Sequence, residues 1–139
     1  MARASIGKEL IFETGDQPGT LGMITIMLKN AGINIIHLSA WAVEKSAHFH
    51  IVVSDIEKAK KVLSNEIKNV HARDVLIVEF ENRLGTLSEV AKLLGSNSVQ
   101  LNECYGTSSD GFKIVGIFAT DDNEKAKSLI NEASGHTAV

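Results

Sequence analysis

The sequence predicts an α+β protein: two βαββαβ repeats in tandem, each an antiparallel sheet with both helices on one face. Three observations carry this expectation. Blocks of the first half return in order in the second half. Each half reads strand, helix, hairpin, helix, strand. The chain has 139 residues, room for one ordinary domain or two very small ones.

The duplication is read directly. Leu10-Ile11-Phe12-Glu13 returns as Leu76-Ile77-Val78-Glu79, a displacement of 76 − 10 = 66. At the same displacement Gly19-Thr20-Leu21 falls on Gly85-Thr86-Leu87, Leu28 on Leu94, Ile51 on Ile117 and Asp55 on Asp121. Glu57-Lys58-Ala59-Lys60 matches Glu124-Lys125-Ala126-Lys127 at 67, so the second copy gains one residue. A collinear set of this kind marks a tandem repeat. The expected boundaries are 8–74 and 75–139.

Each element follows from local pattern. Glu9 to Thr14 reads as a strand, and Gly15-Asp16-Gln17-Pro18-Gly19 as a turn. Leu21, Ile24, Leu28 and Ala31 recur at helical spacing, with Gly32 as the stop. In the second copy Leu87, Val90, Ala91 and Leu94 make the same stripe, with Gly95 just beyond and a capping box in Thr86-Leu87-Ser88-Glu89. Hairpins follow: Ile33–Ala42 with His48–Val53, then Val99–Thr107 with Phe112–Ala119 around Ser108-Ser109-Asp110-Gly111. Second helices start after Asp55 and Asp122. Short final strands are expected near Val70–Asp74 and His136–Val139. A unit of this size buries only ~60% of its unfolded surface and is marginal alone.

Composition excludes several classes. With 44% hydrophobic and 22% charged residues the chain reads as globular. Lys and Arg total 14 against 17 Asp and Glu, a net charge of −3, without the basic excess of a nucleic-acid or anionic-membrane binder. No apolar run approaches a bilayer span, and Met1 to Ser5 leads into Lys8-Glu9 without a signal-peptide core. A cytoplasmic location is the expectation. One cysteine, Cys104, offers neither an internal disulfide nor a zinc cluster.

Asp16-Gln17-Pro18-Gly19-Thr20-Leu21 and Gly32-Ile33-Asn34-Ile35 resemble the ACT domain, a small regulatory module of amino-acid metabolism. Asn82-Arg83-Leu84-Gly85-Thr86-Leu87 resembles it too, with Leu84 in place of the proline, and Ser98-Val99-Gln100-Leu101 replaces the second motif. The resemblance covers nearly the whole chain from Lys8. It implies a ferredoxin-like fold in each repeat, a free amino acid as ligand between two copies, and a non-enzymatic regulatory role without a cofactor. Two partners are then expected, a second copy of the chain as a homodimer and a separate biosynthetic enzyme. The alternative is an assembly or regulatory subunit with no small ligand of its own.

A free amino acid presents a carboxylate and an ammonium together. The opening of a helix offers unpaired N–H groups to the carboxylate, and Gly19 and Gly85 let a ligand approach closely. The expected site therefore combines Asn82 and the Gly85-Thr86-Leu87 amides with Asn34 of the other copy. Its pseudo-symmetric counterpart combines Asp16 and Gly19-Thr20-Leu21 with Gln100. Asn82 with Asn34 is the favoured pair, because Gln100 is longer and Asp16 is charged. Read without the family, the glycines simply permit a turn and Asp16 or Asn82 caps the helix.

Other residues carry weaker readings. His48 and His50 share a strand face with Trp41, Ser39 and His37. A three-histidine metal site is disfavoured because no carboxylate is evident on that face. Dimer contact or the wall of a ligand pocket is favoured. Cys104 reads as a buried small hydrophobe rather than a nucleophile. Gly95, Gly106, Gly111 and Gly116 make no phosphate-binding fingerprint. Lys58, Lys60, Lys61 and Lys68 alternate with Glu57 and Glu66, as on a solvated helix face. Neither an acid–base pair nor a triad is proposed by spacing, and the aromatic residues of an RNA-binding sheet are lacking.

Overall fold

The computed structural model describes residues 2–108 and 110–135. They form six strands and four helices: β1 (Arg3–Gly15), α1 (Thr20–Asn30), β2 (Ile35–Val43), β3 (Ser46–Val53), α2 (Ile56–Ser64), β4 (His71–Glu81), α3 (Thr86–Ser96), β5 (Leu101–Thr107), β6 (Lys113–Thr120) and α4 (Asn123–Ala133). Two compact units result. Lys8–Arg73 is one; the other joins Met1–Gly7 to the chain from Asp74 onward.

In the unit Lys8–Arg73, β3 pairs antiparallel with β1 on one side and β2 on the other. Leu10, Phe12, Phe49 and Ile51 point from the sheet to the helices and are buried. Ile24 and Leu28 of α1, and Ala59 and Leu63 of α2, close over them. Phe12 and Phe49 stack with centroids 5.0 Å apart. The hairpin register is symmetric about Glu44-Lys45: Trp41 faces His48 and Ser39 faces His50. Asp55 caps α2 by accepting from the Lys58 N–H at 3.1 Å.

The second unit repeats the pattern, with β6 antiparallel to both β4 and β5. Leu76, Val78, Phe80 and Phe118 meet Val90 and Leu94 of α3 and Ile130 of α4. Asp122 caps α4 through the Lys125 N–H at 3.0 Å.

Several boundaries differ from expectation for local reasons. Strand β1 begins at Arg3 rather than Glu9, and its first residues belong to the second unit. There Ala2 and Ala4 enter the core, and Asn131 of α4 grips the Ala4 backbone. The Ala4 N–H donates to Asn131 Oδ1 at 2.8 Å, and Asn131 Nδ2 donates to the Ala4 carbonyl at 2.9 Å. The strand expected at Val70–Asp74 runs on without interruption into β4. The strand expected at His136–Val139 lies outside the described residues, as does Ser109 of the second hairpin turn. Gly95 lies inside α3, which ends at Ser96; Ser98, at φ 60°, takes the left-handed place that Gly32, at φ 73°, has in the first repeat.

The repeat register is also corrected. Leu10 faces Ile51 and Leu76 faces Phe118, so Ile51 corresponds to Phe118 at displacement 67, not to Ile117 at 66. Ala40 faces Phe49 and Gly106 faces Gly116, which keeps β5 at 66 and puts β6 at 67. The extra residue therefore sits in the β5–β6 turn.

Replacing Asn131 with Ala leaves a buried N–H and carbonyl of Ala4 without their partners, at a cost of roughly 2–3 kcal/mol. Urea unfolding of Asn131→Ala is expected to show a clearly lowered midpoint; an unchanged midpoint would refute the role of this clamp.

Candidate functional site

The turn before α3 is built from the backbone upward. The Asn82 N–H donates to the Phe112 carbonyl at 2.8 Å, which ties the end of β4 to the β5–β6 turn. The Asn82 Nδ2 donates to the Gly111 carbonyl at 3.0 Å. The amide is thereby oriented, and its oxygen remains as an acceptor. Gly85 enters the helix at φ 91°, a left-handed conformation that costs other residues about 1–2 kcal/mol. Asn82 does not cap α3, and the capping box does not form: α3 has no side-chain cap. Thr86 is buried and its hydroxyl donates backward, to the Glu81 carbonyl at 2.8 Å and the Arg83 carbonyl at 3.1 Å.

The Thr86 N–H already donates to Arg83, at 3.3 Å. The next two, on Leu87 and Ser88, have no partner among the described residues. They are the orphan donors of an uncapped helix start.

The first repeat matches this closely. The Asp16 N–H donates to the Lys45 carbonyl at 2.8 Å, Gly19 has φ 90°, and the Thr20 hydroxyl donates to the Gln17 carbonyl at 2.9 Å. Leu21, like Leu87, is about half exposed. Helix α1 likewise lacks a side-chain cap, so Asp16 is no cap either. Asp16 differs from Asn82 in having no amide to fasten to the hairpin.

Asn34 and Gln100 occupy equivalent entries to β2 and β5. The Asn34 N–H donates to Ser54 Oγ and its carbonyl accepts from the Ser54 N–H. Gln100 makes the same exchange with Asp121. The Gln100 side chain bends back to the Leu101 carbonyl at 3.1 Å, whereas the exposed Asn34 amide makes no such bond. Strand directions put Asn82, after β4, and Gln100, before β5, at opposite ends of one sheet. A single repeat therefore does not join its own helix-opening turn to its own polar residue at the second strand.

A hollow of about 260 Å³ lies beside Asn82 and Leu87, bounded by Cys104 to Ser108 of the β5 region and by Ile114, Gly116 and Phe118. Sequence reading had not identified it. Cys104 lines it and is exposed, contrary to the buried position expected, because β5 is an edge strand. Another hollow of about 270 Å³ lies between α3 and α4, with Arg83 and Glu89 among its walls.

The open face of the Lys8–Arg73 sheet carries the histidines. Trp41 stacks on His48 with centroids 5.5 Å apart and meets His50 edge-on at 4.9 Å. Carboxylates do share this face, contrary to expectation, since β1 brings Glu13 opposite His48. His48 Nδ1 is 3.9 Å from Glu13 Oε2, and His50 Nδ1 is 3.4 Å from Glu9 Oε1. Glu9 is fully buried and accepts from Arg73 Nε at 3.2 Å and Nη2 at 2.9 Å. A concavity of about 480 Å³ with Glu13, His48, His50, Lys68, Asn69 and His71 on its walls lies at the end of this sheet.

The family model described as an ACT domain pair matches residues 7–135. The chain is an ACT domain pair. Solved structures agree in fold. A protein of Bacteroides thetaiotaomicron shares 22% identity and a TM-score of 0.86, covering 94% of this chain and 90% of that one. The ligand-free regulatory subunit of aspartate kinase from Thermus thermophilus shares 14% identity and a TM-score of 0.72, covering 99% and 97%. The regulatory subunit of aspartate kinase from Thermus flavus shares 16% and a TM-score of 0.65, covering 96% of each chain. At these identities the likeness is one of fold. Comparison with curated proteins finds no match. Among the described residues no helix of this ACT domain pair is long and apolar enough to cross a membrane.

Two measurements check the electrostatics. Arg73→Met takes the guanidinium away from the buried Glu9 carboxylate and is expected to lower the melting temperature clearly, with much of the loss restored in Glu9→Gln/Arg73→Met. Burial holds His50 below its ordinary 6.5, against the pull of Glu9, and burial lowers His37 likewise. The unfolded chain then takes up these protons first on acidification. Stability is complete above about pH 6.5 and falls as pH drops from there through the folded values. His50→Gln is expected to flatten that slope in thermal unfolding between pH 7 and 5.

Proposed function

We propose that this ACT domain pair is a non-enzymatic regulatory protein that binds a free amino acid at the Asn82–Gly85–Leu87 turn. The observation that carries the reading is a fastened Asn82 amide and an uncapped helix start within one turn, Asn82 and Leu87 both lining the same hollow. Asn82 is fastened through its Nδ2 to the hairpin, so its Oδ1 faces an incoming ammonium. The N–H groups of Leu87 and Ser88, without a partner among the described residues and at the positive end of the α3 dipole, suit a carboxylate. Asn34 of the other repeat supplies the second amide. Asp16, Gly19, Thr20 and Leu21 with Gln100 form the weaker counterpart, because the Gln100 amide is already bonded to its own chain.

Signalling requires a ligand that favours one state of the protein over another. The chain acts in the cytoplasm as a homodimer, in association with an enzyme of amino-acid biosynthesis, for which the regulatory subunits named above are the structural precedent.

A second reading, assembly without a small ligand, is favoured by one observation. Leu21, Met23 and Ile26 of α1 and Ile36, Leu38 and Val43 of β2 are large apolar residues left exposed in one repeat.

The readings separate in a thermal-shift and calorimetry series against the common amino acids. A ligand at 100 times its Kd adds about 2.7 kcal/mol to the folded form. At least one amino acid is expected to raise the melting temperature, and Asn82→Ala to weaken it tenfold or more. No response to any amino acid would sink ligand binding in favour of assembly.

A further inference from the structure

The hollow beside Asn82 arises from a difference between two otherwise matching repeats. In the first repeat Phe49 lies opposite Ala40 and stacks on Phe12, filling the space between sheet and helices. The corresponding residues of the second repeat are Gly116, opposite Gly106, and Val78. Two rings are thus replaced by a glycine and a valine. Phe118 replaces Ile51 and folds its ring under Gly116, so close that a Cβ there would lie 2.6 Å from Phe118 Cε1. The ring fills part of the space and floors the remainder, the hollow of about 260 Å³.

Its walls are mostly apolar and carry no charge, with the polar groups of Asn82, Tyr105, Thr107 and Ser108 among them. Phe80, Leu87, Ile114 and Phe118 present apolar surface, Gly106 and Gly116 present bare backbone, and none of the described lining residues is charged. A lysine, arginine, aspartate or glutamate side chain entering it would lose its water without gaining a counter-charge, which costs several kcal/mol. An aliphatic side chain would lose only water. The volume is below the ~300–1,000 Å³ of pockets for drug-sized ligands, so it suits a ligand of few heavy atoms.

Resting on the amino-acid reading above, we infer that the ligand held at Asn82 has an apolar side chain of valine, leucine, isoleucine or methionine size, seated between Leu87 of α3 and the Gly106/Gly116 pair of β5 and β6. The polar head stays at the turn, and the side chain points toward Phe118. Specificity then resides in the second repeat, because Phe49 occupies the equivalent space in the first.

The experiment uses the full chain, with calorimetry against valine, leucine, isoleucine and methionine and against lysine, arginine, aspartate and glutamate. Binding is expected for one or more of the apolar set and for none of the charged set. Leu87 is half exposed, so Leu87→Trp is expected to keep the unliganded melting temperature while blocking the mouth and weakening binding at least tenfold. Cys104, the chain's one cysteine, gives an independent readout on the wild type: alkylation by iodoacetamide is expected to slow severalfold with ligand bound. Charged amino acids binding as well as apolar ones, or apolar ones binding with Cys104 unprotected, would overturn the side-chain assignment and leave amino-acid binding intact. Silence across the whole set of common amino acids would remove the amino-acid reading itself.

Discussion

How α1 and α3 begin governs much else in this protein. Each is entered through a glycine in the left-handed region, and neither start is capped by a side chain. The constraint is steric: only without a Cβ does the chain turn this sharply from strand to helix without strain. Its result is electrostatic. Donors that a serine or aspartate cap would have satisfied are left for something else. In the second helix of each repeat, α2 and α4, the aspartate caps are present and the starts are closed. The molecule thus keeps two kinds of helix entrance, one sealed for stability and one open.

Duplication supplied the frame, and divergence then gave the two halves different interiors. The first repeat fills its core with the stacked Phe12 and Phe49, while the second moves its rings along the strands to Phe80 and Phe118. Close packing makes such a shift consequential, since a core residue cannot be removed without leaving space or drawing in a neighbour. Similarly, the open sheet face of the first repeat holds a buried carboxylate matched by a guanidinium, a costly arrangement that persists only while both partners are present.

Much of the architecture was legible from the residues because local chemistry decided it. Asp55 and Asp122 announce their helices, and the short turn at Glu44-Lys45 fixes which side chains face each other across β2 and β3. Asp16 and Asn82 were correctly located at their turns, but their bonding to the hairpin could not be read, because Lys45, Gly111 and Phe112 are distant in sequence. The β1 extension was illegible for the same reason: Asn131 lies 127 residues from Ala4. Gly95 misled because a glycine inside a helix looks like a stop. The hollow could have been found. Once the second copy's extra residue is placed in the hairpin, Phe49 aligns with Gly116 and the missing ring is apparent.

The N-terminal strand has a temporal meaning. Residues 3–7 are made well before α4, yet their place in the fold exists only once α4 has been made. Residues 3–7 must wait until α4 has been made, whereas domains otherwise tend to fold in the order they emerge. Removing residues 3–7 would harm the repeat farthest from them in sequence, the one that holds the open helix entrance beside Asn82.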